Sequence, residues 1–263
     1  MLLEAYNAAS SGRDIPETAH NKLLEKLYYY FTCGGLPEAV KALISELDNP
    51  IPSPKICRKI QENLIQMYIS DFAKHSGKTN SMHIVSVFEN VPSQLAGYHD
   101  LNTKRFRFKG VIPGKKGYND LMGPIAWLDQ AGLILKIKIC NRAEIPLEAF
   151  TSQNIFKCYL FDIGILGAML GLNRQDILNQ DYGITKGYFA ENFVAQELTA
   201  AGFRKLYSWT ERNSEMEFLL QREEGIIPIE VKAGTRTQVK SLKQYILKYS
   251  PAHSKILSLN SSL

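Results

Sequence analysis

The feature that most restricts how this chain can fold is a change of apolar periodicity towards its end. Residues 187–201 space their apolar side chains at helical intervals and stop at Gly202. Leu206 to Trp209, Met216 to Gln221 and Gly225 to Lys232 then read as strands, and Ser241 to Tyr249 returns to helical spacing. Helix, three strands and helix make a compact α/β unit. In Ile227-Pro228-Ile229-Glu230-Val231-Lys232 the two-residue period sends Glu230 and Lys232 to one face, and Ile229 and Val231 to the other, into a core. Glu217 stands near the start of the preceding strand. Glu191 lies on the helix Tyr188–Leu198, with Val194, Ala195 and Leu198 at its i+3, i+4 and i+7 positions. It therefore sits near the buried face, an unusual place for a carboxylate.

The rest of the chain divides at turn signals. Asn21 to Phe31 is helical and ends at Gly34-Gly35, and Leu36-Pro37-Glu38 restarts a helix with Pro and an acid in its first turn. Asn49-Pro50-Ile51-Pro52-Ser53-Pro54 is a stiff linker and the first expected boundary. Ile56 to Phe72 is an amphipathic helix. Met82 to Asn90 reads as a shorter one, Val91-Pro92-Ser93-Gln94 as a turn into a second, and Asn119 to Ala131 as a third, stopped at Gly132. Leu133 to Asn141 alternates like a strand, so several helices closed by a hairpin outline a winged helix. Asn154 to Phe161 is a further strand, with Asp162 capping the next helix. The expected organisation is an α+β, α/β multidomain chain. It has an N-terminal helical segment over 1–54, a winged-helix-like middle over 55–150 and an α/β domain over 151–263.

Composition narrows the classes. Lys and Arg number 31 against 26 Asp and Glu, a net charge of +5 that is compatible with nucleic acid without requiring it. Cys33, Cys57, Cys140 and Cys158 show no C-x-x-C spacing and no His at ligand distance, which argues against a zinc site and a disulfide framework and suits a reducing cytoplasm. No apolar run is long enough to span a bilayer, and the N-terminus lacks a basic segment followed by an apolar one. The expectation is a cytoplasmic chain without a membrane partner.

Glu191, Glu217 and Glu230-x-Lys232 resemble the PD-(D/E)xK nuclease superfamily: an acid on a helix, an acid on one strand, then (D/E)-x-K on the next. The resemblance implies a restriction-endonuclease-like fold for the C-terminal domain. Glu217 and Glu230 would be ligands for Mg²⁺, and Lys232 and Glu191 would be catalytic. A hard cation neutralises the charge that develops in phosphodiester hydrolysis, and a nearby lysine orients the attacking water. The middle acid, usually Asp, is here Glu217, whose carboxylate stands about a methylene further out.

A wider resemblance rests on Phe31 to Val40, Tyr68 to His75, Trp127 to Ile134, Phe156 to Leu166, Glu191 to Leu198 and Glu230 to Gly234, taken in order. It is similar to the C-terminal two-thirds of a family of prokaryotic P-loop AAA-type ATPases that carry a domain of unknown function with a nuclease-like end. Residues 1–54 would be the tail of the ATPase's helical lid, and the chain a truncated product or fragment. The ATPase half is missing. The one G-K-T, Gly77-Lys78-Thr79, has Phe72 where a phosphate loop needs its first glycine, and reads as an exposed loop. No ATP site and no ATPase activity are expected.

Lys104, Arg105, Arg107, Lys109, Lys115 and Lys116 form a run without acids, alternating at Phe106 and Phe108 with apolar rings. Such a run can meet a phosphate backbone or, more plainly, guard a solvated strand edge. From Lys232 onward Arg236, Lys240, Lys243, Lys248 and Lys255 again recur without an acid. The expected function is the nucleic-acid-interacting portion of a P-loop ATPase, with the nuclease-like domain serving as a scaffold. Two alternatives stand beside it. One is an active Mg²⁺-dependent DNA nuclease. The other is a protein-interaction module that binds an ATPase domain or another protein.

Overall fold

A computed structural model describes residues 13–48, 55–76, 78–96, 105–183, 185–212, 214–233 and 239–258, with isolated positions before residue 13. The linker 49–54, Lys104 and Arg236 lie outside the described residues.

Helix α1 (Glu17–Cys33) stops at Gly34, which has φ 71° and ψ −164°, and α2 (Pro37–Leu47) starts on its proline. Helices α3 (Lys55–Ser76), α4 (Lys78–Ala96) and α5 (Tyr118–Gln130) follow. Two sequence expectations change here. Lys78 and Thr79 open α4 instead of lying in a loop, and Gly77 is outside the described residues. The break expected at Pro92 is absent, because α4 runs through it. Proline removes one helical hydrogen bond, but Ile84, Val87, Phe88, Val91 and Leu95 are all buried on one face, and that packing holds the helix across the gap.

Strand β1 (Ile134–Cys140) pairs antiparallel with β2 (Thr151–Leu160). Asp162 then caps α6 (Ile163–Met169), accepting the Ile165 N–H at 2.9 Å, and α7 (Arg174–Leu178) and α8 (Thr185–Ala200) follow. The chain ends with β3 (Tyr207–Glu211), β4 (Ser214–Arg222), β5 (Gly225–Lys232), α9 (Lys240–Tyr249) and β6 (Lys255–Ser258). The described residues thus give a mixed α+β architecture of nine α-helices and one mixed six-stranded sheet, in the order β2-β1-β3-β4-β5-β6. β1 runs parallel to β3, and β5 parallel to β6.

The hairpin expected in the middle segment is therefore part of a larger sheet. β1 lies between β2 and β3, so the sheet crosses the expected boundary at 150/151. The main core does so too. It packs Phe31 of α1 and Ile84 and Phe88 of α4 with Ile137 of β1, Phe189 of α8 and Ile229 and Val231 of β5. A second cluster, built on Trp209, Tyr245 and Leu219, packs α9 on the sheet. No helix among the described residues is long and apolar enough to cross a membrane.

Candidate functional site

The carboxylates singled out by sequence are held on regular elements and are all buried. Glu217 and Glu230 lie on the neighbouring antiparallel strands β4 and β5, one step beyond the paired Phe218 and Ile229. The Val231 N–H donates to Glu217 Oε2 at 3.2 Å, tying the two strands together at that point. Lys232 forms an ion pair with Glu230 Oε1 on the same strand, as their two-residue spacing allows. Glu191, on α8, is 3 % exposed and accepts the Tyr159 hydroxyl at 2.7 Å.

Two residues not anticipated for this network complete it. Lys157 of β2 is 1 % exposed, and its ammonium pairs with Glu215 of β4 and lies 3.9 Å from Glu191 Oε2. A signal was present in the sequence: Lys157 interrupts the apolar run Ile155-Phe156-Lys157-Cys158-Tyr159. A buried ammonium is tolerated only where carboxylates compensate it.

Among the described residues no three of His, Cys, Asp and Glu gather in a group that could hold a metal ion. The acids are instead met by Lys157, Lys232, a tyrosine hydroxyl and a backbone amide.

The basic run sits elsewhere. Residues 105–108 lie along the outer edge of β2, where the Phe106 N–H donates to the Phe156 carbonyl at 2.8 Å. Phe106 is buried and stacks on Phe156 with ring centroids 5.5 Å apart, so the alternation turns Arg105 and Arg107 outward. Gln94 pins the segment, donating to the Arg107 carbonyl at 2.7 Å and accepting its N–H at 2.8 Å. Arg105, Arg107, Lys109 and Lys116 are exposed. Lys115 shares its charge with Asp120 at 3.6 Å, and Asp120 is held below its ordinary pKa first by the Lys116 and Gly117 amides. Beside them is an open concavity of about 490 Å³ lined by Tyr118, Asn119, Gln153 and Asn154. β2 and β5 are four strand steps apart, roughly 19 Å at about 4.8 Å per step. The basic row is therefore well separated from Glu230.

Two family models match the chain. One, described as a domain of unknown function, DUF8612, matches residues 24–176. The other, a domain of unknown function, DUF4143, matches residues 186–261 and is of a kind commonly found alongside AAA ATPase domains. No curated protein matches, and no solved structure does.

Proposed function

The chain belongs to the family described as domain of unknown function DUF8612, whose model covers more than half of it, and from that premise we propose that it is the nucleic-acid-binding part of an ATPase system. On this reading the C-terminal α/β domain keeps a nuclease-like fold as a scaffold, and the middle segment works as a winged-helix-like module. The observation that carries the proposal is the row Arg105, Arg107 and Lys109. All three are exposed; Phe106 and Gln94 hold the Arg105–Arg107 segment along the edge of β2, and Lys109 stands in the turn that follows. A fixed row of cations suits a phosphate backbone, and the amide side chains of Asn119, Gln153 and Asn154 are of the type that hydrogen-bonds base edges. The separation of the row from Glu230, and the pairing of the buried acids with lysines, favour binding without cleavage. The association of the second matched family with AAA ATPase domains supports the wider setting. The active-nuclease alternative would need Glu217 and Glu230 to take up a cation together in place of the Lys232 contact.

The test is the salt dependence of binding to a short DNA duplex. Releasing counterions from one phosphate contact contributes about 0.9 to the slope of log K against log salt. Replacing Arg105, Arg107 and Lys109 together by Gln is expected to lower that slope by about 2–3 and to weaken binding at least tenfold at low salt, with melting unchanged. Equal affinity and slope in the folded triple variant would reject the assignment and favour a protein partner.

A further inference from the structure

One concavity lies among α1, α2, α3 and α7, and none of Glu191, Glu217 and Glu230 lines it. Its volume is about 600 Å³, within the range of about 300–1,000 Å³ typical of small-molecule sites. We propose that this pocket binds a small organic anion carrying a phosphate or carboxylate group, with Arg58 as the residue that recognises the charge. The proposal is independent of the nucleic-acid reading.

Arg58 is half-buried on α3 and lines the pocket. Its guanidinium is fixed by two backbone carbonyls, Gly164 at 3.3 Å and Leu172 at 2.7 Å. Neither is an anion, and among the described residues no carboxylate lies at ion-pair distance from it. Burial holds its pKa below the ordinary guanidinium value, against the smaller opposing effects of Cys57 and the exposed Glu62. A guanidinium removed from water without a carboxylate partner is costly, and three of its five N–H groups remain for a ligand.

The pocket is lined by two carboxylates, Glu46 and the exposed Glu62, and by three cations, Arg58, Lys59 and Arg174, which leaves one positive charge in excess. Glu46 is buried, but its Oε1 accepts the Cys57 N–H at 2.9 Å and its Oε2 faces Arg174 at 3.4 Å. Cys57 adds no negative charge, because burial pushes its thiol up to about 11. Lys59 adds a further cation at the rim. The walls are preorganised as well. Gln61 is fully buried, and its amide nitrogen donates to the Thr32 and Cys33 carbonyls at 3.0 and 2.9 Å, which sets the orientation of the amide. A rigid, cationic, partly enclosed pocket selects for an anion of matching size.

The experiment is a thermal-melting titration of the full chain with inorganic phosphate, a nucleoside monophosphate and citrate. Sodium chloride at matched ionic strength is the control. At least one of the three anions is expected to raise Tm saturably beyond chloride, since a ligand that binds only the folded state stabilises it. A response to the nucleotide or phosphate identifies phosphorylated ligands, and a response to citrate identifies carboxylates. Arg58→Gln is expected to weaken binding at least tenfold. Lys59→Glu, on the exposed rim, is expected to weaken it several-fold without loss of fold, and it decides the matter should Arg58→Gln not fold. The Arg105, Arg107 and Lys109 triple variant is expected to respond like the wild type. No saturable shift with any of the three anions would overturn the proposal. So would a shift that survives Lys59→Glu unchanged, or one that disappears in the triple variant instead.

Discussion

Replacing Lys157 by Met is expected to destabilise the protein by about 3–5 kcal/mol, the cost of leaving buried charge without its partner. The ammonium is 1 % exposed, pairs with Glu215 and lies 3.9 Å from Glu191, which is itself 3 % exposed. Methionine matches the length and apolar stem of lysine, so the packing around Phe156 and Tyr159 changes little and the loss reports charge. Chemical denaturation of the wild type, Lys157→Met and the double variant Lys157→Met with Glu191→Gln measures it. The double variant is expected to recover part of the loss, because one uncompensated carboxylate has gone. A single variant within 1 kcal/mol of the wild type would show that the lysine does not neutralise the acids.

Gly34→Ala is expected to cost about 2–4 kcal/mol, combining backbone strain of about 1–3 kcal/mol with the disturbance of a helix cap. Gly34 has φ 71° and ψ −164°, a region that is essentially glycine's alone. A Cβ there would overlap the Asp162 carboxylate. That carboxylate joins two helix ends, accepting the Gly35 N–H at 2.7 Å and the Ile165 N–H at 2.9 Å. Burial raises the Asp162 pKa, and those amide donors pull it back. The variant therefore either forces the backbone out of its turn or displaces a buried cap. In an Asp162→Ala background the same glycine substitution is expected to cost less, since the overlap is relieved. Equal costs in the two backgrounds would show that the close approach does not matter.

The sequence was readable where the signal was local. The helix stop at Gly34, the restart at Pro37, the cap at Asp162 and the alternation of Glu230 and Lys232 against Ile229 and Val231 all depend on neighbouring residues. Pro92 misled for the same reason, because the packing of Phe88, Val91 and Leu95 that carries the helix past it is tertiary. β1 read as one arm of a hairpin, since nothing near Ile134 to Cys140 announces that Tyr207 to Trp209 will lie on its other side. The buried position of Glu191 followed from helical spacing. Its partner Lys157 and the further ion pair to Glu215 come from distant strands, and no spacing rule connects them. Arg58 and Gln61 were least legible, because on an amphipathic helix such residues look solvated until α1 and α6 close over them.

The most direct test of the account is to incubate the protein with labelled duplex DNA and Mg²⁺ at low salt, and to read both mobility and strand length of the same sample. The DNA is expected to be shifted and intact, with the same result for Lys232→Ala. Cleavage by the wild type that Lys232→Ala abolishes would contradict the scaffold reading, and unshifted DNA would contradict nucleic-acid binding itself.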